Sequence, residues 1–336
     1  HPALAPFASF YKEGRLAVVH GVGNTFPTRS HLDAAQYWES GTPGNKGTAS
    51  GWLNRALAET RDAQDSPFRA VSITPDQPRT LYGSHPVLAL TDVNKFGLKV
   101  AGGDDLAALA GSGFDALYQQ SANDLLRGTG ANSVEAMRLL SASNLTSYRP
   151  AKGVEYPKNF SLANGQMQKS LGESLRQIAQ LIKANVGLQA AFAETTGFIW
   201  DTHVNEHAAN GPFFAVASDF SQSVAAFWND LGPLADDVVL VTMTEFGRTV
   251  VQNDTSGTDH GRATCMFVLG NAVNGGKVYG TLPDRLELDA LEDRQDLPVT
   301  TDFRSVVAEL TGKQFGIQDD KQIFPGWNGS RLPLTR

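Results

Sequence analysis

The sequence predicts an α/β fold: a doubly wound, mainly parallel central sheet with helices on both faces. Two observations carry that expectation. Short apolar runs bounded by glycine recur along the chain and alternate with stretches of helical periodicity. The runs are also near-continuously apolar rather than alternating, as strands covered on both faces must be.

The elements follow in chain order. Arg15-Leu-Ala-Val-Val-His20, between Gly14 and Gly21, reads as a buried strand. A Gly/Asn/Thr/Pro loop over 21–27 leads into Thr28-Arg-Ser-His-Leu-Asp-Ala-Ala-Gln-Tyr-Trp-Glu-Ser, which opens like a helix and stops at Gly41 and Pro43. Strand, loop and helix start together present backbone N–H groups to an anion. Val71-Ser-Ile-Thr reads as a strand, and short helices are expected over 104–111, 116–126 and 133–140. Lys169 to Lys183 is an amphipathic helix with Leu171, Leu175, Ile178, Leu181 and Ile182 on one face. Gly197-Phe-Ile-Trp-Asp201 is expected to end a strand and Phe213 to Leu231 to form a helix. Strands are expected over 237–244 and 263–270, and a last helix over 301–311 with Asp302 near its start. The chain reads as one domain over 1–336, with 60–165 as a cap or insertion within it.

Composition excludes several functions. The 336 residues are 41% hydrophobic and 19% charged, a globular balance. Twenty-eight Lys and Arg against 35 Asp and Glu give a net charge of −7, with no basic run to hold a nucleic acid. A single cysteine, Cys265, excludes a disulfide within the chain and a thiolate metal site. No stretch approaches the ~20 apolar residues needed to span a bilayer. The chain opens at His1-Pro2 without an initiator Met, so an upstream piece, with any signal peptide, is expected to have been removed.

Polar residues collect where a doubly wound sheet places its active site, at the carboxyl ends of strands. One cluster is Thr28-Arg29-Ser30-His31. A second is Asp201-Thr-His203, with His207 just beyond. A third is Glu245-Phe-Gly-Arg248, followed by Gly257-Thr-Asp259-His260-Gly261. Four of the seven histidines lie in these clusters. Carboxylates with neutral imidazoles are ligands for hard and borderline divalent cations, so a metal site is the sharp reading. The plain alternative is polar loop residues that cap helices and satisfy turns. Thr28 and Ser30 serve either as helix caps or as nucleophiles. His31 is either a catalytic group or a histidine bonded to a loop carbonyl. Arg248 is either an anion clamp or an ion-pair partner of Glu245. His20 and His85 are read as structural.

Several strings together resemble one bacterial family. They are Arg15-Leu-Ala-Val-Val-His-Gly-Val-Gly, Thr28-Arg-Ser-His, Trp38-Glu-Ser-Gly-Thr-Pro-Gly, Gly51-Trp-Leu-Asn-Arg, Trp200-Asp-Thr-His, Thr244-Glu-Phe-Gly-Arg-Thr and Gly257-Thr-Asp-His-Gly-Arg-Ala. The family is the uncharacterised domain-of-unknown-function family fifteen hundred and one, and the resemblance covers essentially the whole chain. Its members are usually exported by the twin-arginine route, which implies a periplasmic or extracellular protein. They are similar to the alkaline phosphatase–sulfatase superfamily, in which two metal ions flank a Ser or Thr nucleophile at a helix start.

The resemblance implies catalytic roles for Thr28, Ser30 and His31. It implies metal binding by Asp201 with His203 or His207, by Glu245 and by His260; the residues themselves add Asp259 to that set and Arg29 and Arg248 as anion-binding groups. The chain departs from the superfamily pattern in three places. Asp201 and His203 are two residues apart where four is usual. Phe246 stands where an imidazole is usual. The opening strand, with its metal-binding Asp, would precede His1. One divalent ion (zinc, manganese, calcium or magnesium) is therefore expected rather than two. The expected function is a metal-dependent hydrolase of phosphate or sulfate esters with a degenerate metal site. The alternative is an exported, non-catalytic binding or assembly protein on the same fold. Expected partners are a small anionic ester or other anionic ligand, and a protein or upstream segment that completes the sheet. Neither nucleic acid nor a membrane span is expected.

Overall fold

The computed structural model describes residues 1–60, 66–96, 135–139, 145–162, 164–195, 197, 199–207 and 211–336. In chain order the elements are α1 (Phe7–Lys12), β1 (Leu16–Gly23), α2 (His31–Ser40), α3 (Trp52–Glu59), β2 (Ala70–Ser72) and β3 (Leu88–Ala89). Then come β4 (Asn159–Ser161), β5 (Met167–Lys169), α4 (Leu171–Lys183), β6 (Ala190–Phe192), α5 (Pro212–Leu231), β7 (Val239–Val241), β8 (Arg248–Gln252) and β9 (Thr258–His260). The last are β10 (Thr264–Gly270), β11 (Lys277–Tyr279), β12 (Thr301–Asp302), α6 (Phe303–Phe315) and α7 (Asp320–Ile323).

Local chemistry sets the helix boundaries. Ser30, Ser170 and Asp302 cap α2, α4 and α6, each side chain accepting a first-turn N–H. Gly41 ends α2 in the left-handed region, at φ 70°, where a Cβ would also strike the Phe324 ring at 2.7 Å. The expected helices over 104–111 and 116–126 lie outside the described residues. Within 133–140, the described residues 135–139 are helical.

The fold is mixed α/β, and the expectation of a mainly parallel sheet is corrected. The main sheet runs β11-β1-β10-β7, with β12 also paired to β1. β1 pairs with β11 and β12 in parallel, but β1–β10 and β10–β7 are antiparallel. The reason is the connection. Between β7 and β10 the chain makes the β8–β9 hairpin and returns at the end it left, with no helical crossover to carry it back. A second, fully parallel sheet has the order β3-β2-β6.

Two more expectations change. The run 197–201 does not end a strand: Gly197 is left-handed at φ 75°, and Ile199 and Trp200 form a turn. The nearest strand upstream is β6. The strand expected over 237–244 is confined to Val239–Val241, and its three residues are only half-buried.

Alternation along β1 and β10 divides the core. Ala17, Val19, Met266 and Val268 face α2, α3 and α6, where Trp38 stacks on Phe303 with ring centroids 4.2 Å apart. Leu16 and Leu269 face the other way, toward Phe7 and Phe10 of α1 and the apolar stripes of α4 and α5. Helices thus cover both faces of the main sheet.

Phe303 is fully buried at the start of α6. Phe303→Ala should lower unfolding free energy by about 3–5 kcal/mol in urea denaturation, since it removes a stacked ring from a packed core. A loss under about 1 kcal/mol would show that the Trp38–Phe303 stack is not a core contact.

Candidate metal centre

Four segments far apart in sequence meet at one point. The start of α2 supplies His31. The loop between β6 and α5 supplies Asp201 and His203. The turn after β7 supplies Glu245. The β8–β9 hairpin supplies Arg248 and His260, which pair across it in register. Close backbone approach makes this possible: a Cβ on Gly261 would lie 2.6 Å from the Arg248 carbonyl carbon, and one on Gly257 2.2 Å from that of His203.

The centre is the Asp201 carboxylate. His31 Nε2 lies 3.4 Å from its Oδ2. His260 Nε2 and His203 Nε2 lie 3.0 and 2.9 Å from its Oδ1. The ligand atoms of His31, Asp201 and His260 all fall within 4.8 Å of one another. Arg248 closes the group: its Nη1 donates to Asp201 Oδ1, its Nη2 to the Thr258 carbonyl, and its Nε to Thr258 Oγ1 at 3.2 Å. Burial pushes the Asp201 carboxyl up, but Arg248, helped by His203 and His260, more than offsets it and holds the group below its usual value.

The other ring nitrogens decide the tautomers. His260 Nδ1 is 2.9 Å from the Arg29 carbonyl, which can only accept, so that nitrogen carries the proton. His31 Nδ1 is 2.6 Å from Glu245 Oε1, and His203 Nδ1 is 2.9 Å from Asp259 Oδ1, each a carboxylate oxygen. In the neutral rings all three Nε2 atoms are therefore lone pairs aimed at a carboxylate. Two of them, on His203 and His260, lie only 3.2 Å apart. Acceptors brought together this way are relieved by a shared positive charge, either a proton on a ring or a metal ion. Imidazoles that donate their far N–H to a carboxylate or carbonyl while the near nitrogen stays free are oriented for a metal.

The structure therefore redistributes the expected residues. Asp201 and His260 are together as expected, with His203 beside them. His31, expected as a catalytic group, joins Asp201 and His260 in the ligand-competent set. Glu245 and Asp259, expected as ligands, lie against the outer ring nitrogens of His31 and His203. Asn253 and then His203 hold the Asp259 carboxyl below its usual value. His207 packs its ring 6.0 Å from that of Phe213 and stands apart from the cluster. Thr28 Oγ1 accepts from the Ser30 N–H at 3.2 Å, and Ser30 caps α2. Arg29, expected to hold an anion, is paired with Asp293 and Asp296, which raise its guanidinium above its ordinary value against the lowering effect of burial.

Phe246 walls the site. Its ring lies 4.8 Å from those of both His31 and His260. Asp296, Asn253 and Glu206, which accepts from Thr258 Oγ1, were not visible in the sequence as part of this centre. No spacing rule links a loop carboxylate to an arginine 267 positions away.

Arg248→Met should raise the Asp201 carboxyl, because burial then acts without its main counterweight. In the wild type the stabilisation from ionised Asp201 is present above the ordinary carboxylate range and is lost as pH falls below it. In the variant that loss should begin at higher pH. Carboxyl NMR titration of metal-free protein reads this directly, and an unmoved Asp201 would show that Arg248 does not hold it.

Over residues 19–325 the chain matches the family described as Protein of unknown function (DUF1501). No curated protein and no solved structure matches it. With a match over most of its length, reaching from β1 past α7 and so taking in the whole histidine–aspartate centre, the chain belongs to this family of proteins of unknown function, DUF1501.

Proposed function

We propose that the protein binds one divalent cation through His31, Asp201 and His260 and uses it to hydrolyse phosphate or sulfate esters. The single observation behind the reading is the convergence of three imidazole Nε2 lone pairs on one carboxylate, each ring held from behind by an oxygen acceptor. The donor set fits: two neutral imidazoles and a carboxylate suit zinc or manganese, and three protein ligands leave a position open. An ion there supplies Lewis acidity to a phosphoryl or sulfuryl oxygen.

The chain's own residues supply the rest. Glu245 and the Arg29 carbonyl fix the rings of His31 and His260. Arg248 keeps Asp201 ionised. Thr28 and Ser30 flank Arg29, so their hydroxyls are the nucleophile positions we assign. The family resemblance adds export to the periplasm or beyond the cell, and an alkaline-phosphatase-like arrangement of the whole domain. No described helix is long and apolar enough to cross a membrane.

One observation favours the second reading, an exported binding or assembly protein without turnover. Both arginines assigned to anion binding are already engaged, Arg29 by two aspartates and Arg248 by Asp201 and Thr258.

Elemental analysis of purified protein should find about one ion per chain, as three protein ligands hold one ion. His31→Ala and His260→Ala should lose it. Glu245→Gln should weaken metal affinity about 10–100-fold, as loss of a ring-orienting partner does. Full metal content in His260→Ala would remove this site. Aryl phosphate and aryl sulfate assays with zinc, manganese, calcium or magnesium then separate the readings. Metal-dependent turnover lost in Thr28→Val or Ser30→Ala supports the hydrolase. A retained ion with no turnover supports the binding protein.

A further inference from the structure

Arg248 is gripped along one edge. Its Nε donates to Thr258 Oγ1 at 3.2 Å and its Nη2 to the Thr258 carbonyl, which leaves Nη1 for Asp201. A guanidinium left to itself meets a carboxylate as a fork, with two parallel N–H···O bonds. Such a fork would cover both oxygens of Asp201. The observed contact is to Oδ1, and Oδ2 stays turned toward His31 Nε2. Whatever keeps Arg248 out of the fork therefore keeps Asp201 Oδ2 open to a cation.

The grip is set from behind by Glu206. The Thr258 hydroxyl donates to Glu206 Oε2, which turns its lone pairs toward Arg248 Nε. Glu206 is 4% exposed and Thr258 7%, so bulk water does not compete for the contact. Among the described residues Thr258 is the hydrogen-bond partner of the Glu206 carboxyl, and no ion pair engages it.

Backbone pairing delivers Glu206 to this place. Val204 bridges Ser256, the Asn205 N–H donates to the Thr255 carbonyl, and the Glu206 N–H donates to the Ser256 carbonyl, both at 3.0 Å. Each segment carries a non-glycine residue in the left-handed region, Asn205 at φ 47° and Ser256 at φ 60°. Such a backbone persists where its surroundings hold it. The loop that carries Asp201 and the hairpin that carries Arg248 and His260 are thus fastened together where Glu206 meets Thr258.

We propose that Glu206 is a positioning residue of the metal centre: through Thr258 it holds Arg248 to one oxygen of Asp201 and reserves the other for the cation. Arg248 then has two opposed effects. Held, it keeps Asp201 ionised; released, it competes with the ion for the same carboxylate. This inference rests on the metal reading of the centre.

Zinc affinity of the full chain, measured by chelator competition, should fall about 10–100-fold in Glu206→Ala, the range for losing a partner behind a ligand. Thr258→Val, which removes the hydroxyl and keeps the carbonyl, should match it. Glu206→Gln keeps an acceptor for that hydroxyl and should bind zinc as the wild type does. In an Arg248→Met background Glu206→Ala should cost nothing further, because the competitor is gone; a merely structural role would cost as much there as in the wild type. Wild-type affinity in Glu206→Ala, an equal loss in the Arg248→Met background, or no rescue by glutamine would each overturn the proposal. The nitrogen NMR signal of the Arg248 Nε–H in zinc-free protein separates this outcome from failure of the metal reading. It should shift in Glu206→Ala and stay in place in Glu206→Gln, whether or not zinc binds. An unshifted signal in Glu206→Ala would overturn the hold on Arg248 itself. A wild type that binds no zinc would overturn the metal reading and the reserved oxygen with it.

Discussion

The site depends on one electrostatic constraint: a partly buried carboxylate, Asp201, must stay ionised while three imidazole lone pairs point at it. A buried anion is costly unless it is paired. Arg248 supplies the pairing, but its guanidinium reaches only one of the two oxygens, so Asp201 Oδ2 still faces His31 Nε2. The backing oxygens of Glu245, Asp259 and Arg29 lie against the opposite ring nitrogens, so the three Nε2 atoms are turned toward Asp201.

The hairpin between β7 and β10 meets that constraint. In one excursion it brings Arg248 and His260 face to face, and it then returns the chain as an antiparallel strand rather than across a helix. The same excursion makes the main sheet mixed. Sheet topology and site are thus two consequences of one connection, with close approaches at Gly257 and Gly261 as its steric conditions.

The residues expected from the sequence and the geometry meet at Asp201 and His260. Glu245 Oε1 lies 2.6 Å from His31 Nδ1, and the Phe246 ring packs against His31 and His260. Both arginines expected at the anion are held by carboxylates. The ligand-competent atoms of His31, Asp201 and His260 lie together while the arginines beside them are engaged. That tension is what separates the catalytic from the non-catalytic reading.

The sequence by itself determined the local elements. Ser30, Ser170, Asp302 and Gly41 mark their helix ends because capping is chemistry within a few residues. The apolar runs of β1 and β10 mark buried strands because period and burial are read along the chain. It also placed Asp201, His203, Glu245 and His260 in polar loops beside apolar runs. Tertiary structure alone decided the strand directions, since an apolar run carries no sign of which way its neighbour points. It alone decided the division of labour in the centre, because a His or Glu looks the same in sequence whether it meets a metal or another side chain. Only the distance between segments 170 positions apart, as with His31 and Asp201, brings one histidine into a ligand-competent set and puts Glu245 behind its ring.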